Sequence, residues 1–350
     1  MSETENISKM AEIVSQEIFN FFKWGRVDLY NVNFECKKPT EHSSKDTYTH
    51  PVDVVYHYLD PYTGKRVILN TDLKSYAAGT ITTNNVRNAL KSLAKTIECA
   101  KLSTEWKERY AQFSEPLDIR ALLFVYNHKG NFDKEFYSTF FHKKPDDKKQ
   151  IIDPASIPLK KGHLLHIIEP LQISYLYTLI NDLQSLISNR KFPHFDESKH
   201  WFYYPELYLH KTHFNKYERA ASLEMICSDF IIVGHDSVAN NLNQIVENAG
   251  YVVYYNGRGE KREEFIYLLD TLSRNQLLDS SASIKIRCTH HDKHPDITTS
   301  FKNAINDYSA AWGFDDYKRS RLSEILQNFH TISQIKTILS DVNVGWRVAE

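Results

Sequence analysis

The sequence predicts an α/β protein: an αβββαβ core followed by a second α/β domain containing a small parallel sheet. Three observations predict it. Two runs rich in β-branched and aromatic residues, 52–58 and 67–73, flank the turn Asp60-Pro61-Tyr62-Thr63-Gly64 and read as a hairpin. Apolar residues recur at helical spacing on both sides of it, at Met10, Val14, Phe21 and Trp24 and again at Val86, Leu90, Leu93 and Ile97. Beyond about residue 190, strand and helix patterns alternate, as in parallel strands joined by crossover helices.

In chain order, residues 7–24 read as a helix, 26–36 as a strand and 37–49 as a polar loop. The hairpin follows. Thr82 supplies a cap for a helix over about 84–102. Residues 119–126, nearly all apolar, read as a strand buried on both faces. An exposed loop over 143–149, a strand over 164–168 and a helix over 171–187 complete the first half. Pro193 and the polar run 190–198 divide the chain into domains 1–190 and 191–350. In the second domain, 230–233, 251–255 and 284–288 read as strands; 238–248, 260–275, 297–308 and 317–340 read as helices.

Composition excludes more than it assigns. The chain has 350 residues, enough for two cores, with 41% hydrophobic and 25% charged residues. A net charge of −1 restricts any nucleic-acid surface to a local patch. Cys36, Cys99, Cys227 and Cys288 lie far apart without a C-x-x-C pair, which argues against a disulfide framework or a thiolate zinc site and suits a reducing, cytoplasmic compartment. The acidic start lacks the apolar core of a signal peptide, and the most apolar stretch, 164–180, is broken by His166, Glu169 and Pro170.

The chemistry concentrates in the hairpin. Asp53 lies on one strand and Asp72 near the end of the next, and paired strands run about 5 Å apart. Lys74, two residues on, shares the Asp72 face. Two carboxylates on one face repel unless a cation lies between them, and Mg²⁺ (with Mn²⁺ as a substitute) suits one or two carboxylates plus a phosphate. The Leu73 carbonyl adds a ligand. Glu17 falls between Val14 and Phe21 on the helical wheel, within the apolar stripe, and is expected to serve as an outer or third metal ligand. Arg87, Lys91 and Lys95 form a four-residue-spaced basic stripe on the next helix, and with Ser75 they are candidates for holding a phosphate backbone.

These residues resemble the PD-(D/E)XK nuclease superfamily, which has the restriction-endonuclease-like fold: an acid on the leading helix, Pro-Asp on one strand, Asp/Glu-x-Lys on the next. Here Pro51 stands two residues before Asp53 rather than adjacent to it. The chain as a whole resembles bacterial antiphage nucleases of the GAPS type. The resemblance implies metal-dependent hydrolysis of phosphodiester bonds, with DNA as first substrate and RNA as the alternative. It also implies a second protein from a neighbouring gene, with self-association left open. Asp53, Asp72 and Lys74 would carry catalysis.

Blander readings stand beside these. Asp53 and Asp72 also suit strand-end acids with Lys74 as a surface ion-pair partner. The basic stripe equally suits a solvated face, and the whole domain a non-catalytic nucleic-acid-binding subunit. In the second domain, Cys288, His290, His291 and His294 fit no standard zinc spacing, nor do His210 and His213. Gly234-His235-Asp236 and Arg258 follow strand ends where ligands of open α/β sheets bind, which leaves a nucleotide or small-ligand sensor as a further reading. Trp201 to Tyr204 reads as core or interface.

Overall fold

The structure is a computed structural model. It describes residues 3–42, 48–142, 151–205, 215–278, 282–313, 315–336 and 338–339. The loop expected over 143–149, and His210 and His213, lie outside them.

The chain forms two compact units, Met1–Ser174 with the returning segment around Leu339, and Tyr175–Ile335. The division falls inside a helix, ahead of the polar run 190–198.

In the first unit, α1 (Glu3–Phe21) precedes β1 (Gly25–Arg26). The strand expected over 26–36 is broken: only β2 (Phe34–Glu35) follows, then α2 (Pro39–His42) and β3 (Thr49–His50), which pairs with β2. The hairpin is β4 (Val54–Leu59) and β5 (Arg66–Tyr76). Its turn is closed by the Asp60 carboxylate, which accepts from the Tyr62 and Thr63 amides at 3.0 and 2.8 Å, and by Gly64 at φ +64°. Next come α3 (Thr83–Leu102), α4 (Thr104–Tyr110), β6 (Leu117–Asn127), α5 (Phe136–Phe140) and β7 (Leu165–Ile168). Thr82 caps α3 by accepting from the Asn85 amide. The sheet runs β1-β4-β5-β6-β7, antiparallel across its first two pairings and parallel across the last two.

Helices cover both faces of this sheet. α1 lies on one: Phe19 stacks on Trp24 and meets Tyr56 and Phe124 edge-on. On the other, Val86, Leu90, Leu93 and Ile97 of α3 pack with Val55, Ile68, Ala121, Leu123 and Val125. Buried Asn70, on this second face, accepts from the Trp106 indole at 3.1 Å.

The second unit repeats this plan. α6 (Pro170–Ser188), which spans the division, leads to β8 (His200–Phe202), α7 (Leu223–Ile226) and β9 (Phe230–His235). Where a helix is expected over 238–248, the chain forms a second hairpin, β10 (Val238–Ala239) and β11 (Ile245–Glu247). The reason is asparagine: the Asn240 carboxamide accepts from the Leu242 and Gln244 amides, and Asn243 adopts φ +59°. Then follow β12 (Gly250–Tyr255), α8 (Arg262–Arg274), β13 (Ser283–Cys288), α9 (Ile297–Ala311), α10 (Asp316–Gln327) and β14 (Phe329–Thr331). The helix expected over 317–340 therefore stops at Gln327, and the chain adds an edge strand. The sheet order is β8-β9-β12-β13-β14, again two antiparallel pairings followed by two parallel ones. It is mixed rather than wholly parallel. Trp201 to Tyr204 are buried, as core residues.

Candidate active site

Asp53 immediately precedes β4. The ladder pairs Val54 with Thr71, so its next step sets Asp53 opposite Asp72. Strand alternation carries Ile68, Asn70, Asp72 and Lys74 to the α3 face. The neighbouring parallel strand pairs Leu123 with Asp72 and Val125 with Lys74, giving the polar trio an apolar floor.

The two carboxyls and the ammonium converge. The Asp53 carboxylate accepts from the Leu73 amide at 2.8 Å, and Lys74 donates to Asp72. Burial first, and the Asp72 charge second, push the Asp53 carboxyl up to about 6; Lys74 and the Leu73 amide offset only part of this. Burial works against the Lys74 ammonium, but the Asp72 charge and hydrogen bond outweigh it and hold its pKa above the ordinary range. A second positive charge between the carboxylates would relieve the strain on Asp53, so the donor set fits a divalent cation.

This strain has a testable sign. The folded Asp53 carboxyl holds its proton to higher pH than the unfolded chain, so its contribution to stability is present at low pH and is lost as pH rises through about 6. Asp53→Asn is expected to stabilise the protein by about 1–2 kcal/mol at pH 8 without added divalent metal, and to leave it unchanged near pH 4. Thermal melts across that range check it.

The other expected residues fare differently. The buried stripe of α1 is Met10, Ala11, Val14, Ser15, Ile18 and Phe19, continued by Phe22 just past its end, so Glu17 lies at its edge, partly buried, on the helix that covers the opposite sheet face. Its place in mid-stripe is corrected accordingly. Arg87 donates to the Ile151 carbonyl and Lys95 to the His42 carbonyl, both at 2.9 Å, so these two already hold backbone. Lys91 is partly buried on the same helix. Ser75 meets the His128 ring at 3.2 Å. A cleft of about 390 Å³, lined by Gly79, Thr82, Asn131 and Lys134 among others, opens just beyond the carboxyl ends of β5 and β6.

In the second unit, the position matching Asp53 and Asp72 is aromatic: Phe230 pairs with Tyr255, both against the α8 side of the sheet. Gly257 stands two residues on, where Lys74 would fall. Gly234 and His235 end a strand antiparallel to both neighbours, not a parallel one. Arg258 is engaged by Asp292 at 3.1 Å. Cys288 is buried in the core, while His290 and His294 accept from the Asp292 and Asp296 amides in the following loop.

An αβββαβ core with an Asp pair and a lysine at the end of its central hairpin is the arrangement of PD-(D/E)XK nuclease-type domains. Residues 1–159 match the family model described as the GAPS4 protein PD-(D/E)XK nuclease domain, which bears out the resemblance to PD-(D/E)XK nucleases and to the GAPS type. No curated protein matches the chain, and no solved structure does. Among the described residues, no helix is long and apolar enough to cross a membrane.

One cluster escaped the sequence reading. Cys36, His42, His50 and Cys99 gather on the α3 side of the first unit. Their spacing follows no familiar motif, and two histidines at 42 and 50 flanking a polar loop were the only available hint.

Proposed function

We propose that the N-terminal domain is a Mg²⁺-dependent nuclease that hydrolyses DNA in cytoplasmic antiphage defence. The observation that carries this reading is the convergence of Asp53, Asp72 and Lys74 on one sheet face, with the Asp53 carboxyl pushed up by burial first and by its neighbour's charge second. Asp53, Asp72 and the Leu73 carbonyl would hold the metal. When bound, Mg²⁺, or Mn²⁺ in its place, would supply Lewis-acid polarisation of the scissile phosphate and a more acidic water. Lys74, held charged by Asp72, places its ammonium where negative charge builds on the phosphate. The Asp53–Leu73 hydrogen bond fixes the first carboxylate against β5 before substrate arrives.

Glu17 has the weakest case as a ligand, because α1 covers the other face. Of the basic stripe, Lys91 is the better candidate for a phosphate; Ser75 follows Lys74 directly, but alternation turns it to the opposite sheet face, where it meets His128. The second unit, with Phe230 and Tyr255 at the matching corner, recognises substrate or a second protein from a neighbouring gene rather than cutting.

The test is incubation of the full chain, alone and with its co-purified partner, with linear DNA, circular DNA and RNA, with and without Mg²⁺. DNA cleavage that requires Mg²⁺ is expected. Cleavage of RNA alone would reassign the substrate, and no cleavage under any of these conditions would reject the nuclease reading.

A further inference from the structure

Four buried side chains, distant in sequence, meet at one point of the first unit. Cys36 follows β2, His42 ends α2, His50 ends β3 and Cys99 lies in the last turn of α3. Each offers one ligand atom, and these atoms all lie within 4.8 Å of one another. The two sulfurs are 3.6 Å apart, and both cysteines are free thiols. His42 Nδ1 is 3.4 Å from Cys36 Sγ, 3.4 Å from Cys99 Sγ and 3.4 Å from His50 Nε2.

Hydrogen bonding alone does not account for this geometry. A ring nitrogen has either one proton or one lone pair. His42 Nδ1 therefore satisfies one of its three neighbours, and the others crowd it without reward. A central cation satisfies all four atoms at once. Zn–S bonds of about 2.3 Å and Zn–N bonds of about 2.0–2.1 Å, set tetrahedrally, put sulfur pairs about 3.8 Å apart, S–N pairs about 3.5 Å and N–N pairs about 3.4 Å. The four edges given above lie close to these values.

The surroundings are those of a metal centre. The far nitrogen of His42 meets Glu98 Oε2 at 3.3 Å, and the other Glu98 oxygen accepts from Lys38 at 2.6 Å. The far nitrogen of His50 meets the Thr96 hydroxyl at 3.3 Å. Backbone amides of Lys37 and Lys38 point at Cys99 Sγ and Cys36 Sγ, each at 3.4 Å. Carboxylate and hydroxyl partners on the free ring nitrogens orient ligating imidazoles, and amides directed at sulfur stabilise thiolates.

We propose that Cys36, His42, His50 and Cys99 bind one Zn²⁺ as a structural site. Two thiolates and two imidazoles in a buried tetrahedron select zinc over Mg²⁺. Four protein ligands leave no open position for a substrate. Binding displaces the two thiol protons to solvent, and the resulting centre is electrically neutral. The ion ties the 36–50 segment to the end of α3. Because His50 stands three residues before Asp53, the clip also anchors the approach to β4. The proposal stands independently of the nuclease reading, which concerns Asp53 and Asp72.

Elemental analysis of the full chain, purified under reducing conditions, tests it. One zinc per chain is expected, retained by Asp72→Ala and lost by the double variant Cys36→Ser, Cys99→Ser. Adding Co²⁺ to the reduced, zinc-free wild type is expected to give the intense visible bands of tetrahedral cobalt and a thiolate charge-transfer band. This arm needs no variant to fold. Purified wild type with little zinc and no such cobalt spectrum would overturn the site. Full zinc retained in the double-serine variant would overturn the ligand assignment.

Discussion

Asp72→Ala is expected to lower Mg²⁺-dependent DNA cleavage by at least about 10³-fold, the loss of several kcal/mol of transition-state stabilisation that a correctly held metal supplies. The fold should survive. Asp72 lies at the open end of β5, and its removal relieves the charge that strains Asp53. Without added divalent metal, the relief at Asp53 is set against the loss of the Asp72 charge that offsets the burial of Lys74, so the variant should melt close to the wild-type temperature. Lys74→Ala should cost roughly 10²–10³-fold while leaving metal binding by the two carboxylates in place. No residual cleavage is expected from the second unit, whose matching corner is Phe230 against Tyr255. Were the trio only a surface ion pair, both variants would cut at the wild-type rate, so single-turnover rates on a labelled duplex decide between the two readings.

Loss of zinc should produce the largest change in stability. Structural zinc contributes folding free energy directly. Here it joins the end of α3 to the 36–50 segment, whose own strand pairing is the two residues of β2 with β3. Cys99→Ser, or stripping with a zinc-selective chelator, is expected to destabilise the first unit by about 4 kcal/mol or more. That corresponds to a fall of roughly 10 °C in Tm for a domain of this size. Stoichiometric Zn²⁺ should restore the stripped wild type, whereas Mg²⁺ should not. The two metals would thus separate in calorimetry: the zinc effect follows Cys36 and Cys99, and the smaller Mg²⁺ effect follows Asp53 and Asp72. A general chelator removes both ions, so Mg²⁺ added back alone should restore cleavage less fully than Mg²⁺ and Zn²⁺ together.

How much of this was legible depended on the range of the interaction. The β4–β5 hairpin was readable because its turn is made by adjacent residues, with the Asp60 carboxylate and Gly64 acting within five positions. The cap and stripe of α3 were readable for the same reason. Asp53 and Asp72 then followed, since a tight hairpin fixes which residues oppose one another. Glu17 was misplaced because wheel positions at 14 and 21 bracket it, whereas packing against Tyr56 and Phe124 rotates the buried stripe towards Ser15 and Phe19. The 238–248 segment carries helix-like apolar spacing, but its asparagine side chains compete for backbone amides and win. β14 gained its strand from the free edge of β13, a partner distant in sequence.

The sequence by itself determined the order of the first core, its hairpin and the acid-and-lysine trio, because each arises from contacts between near neighbours. Only the tertiary structure decided that the second unit repeats the same strand order and that two cysteines and two histidines share one point. Those features come from strand pairing and helix packing that join residues up to 63 apart, as Cys36 and Cys99 do, and no local pattern encodes such a meeting.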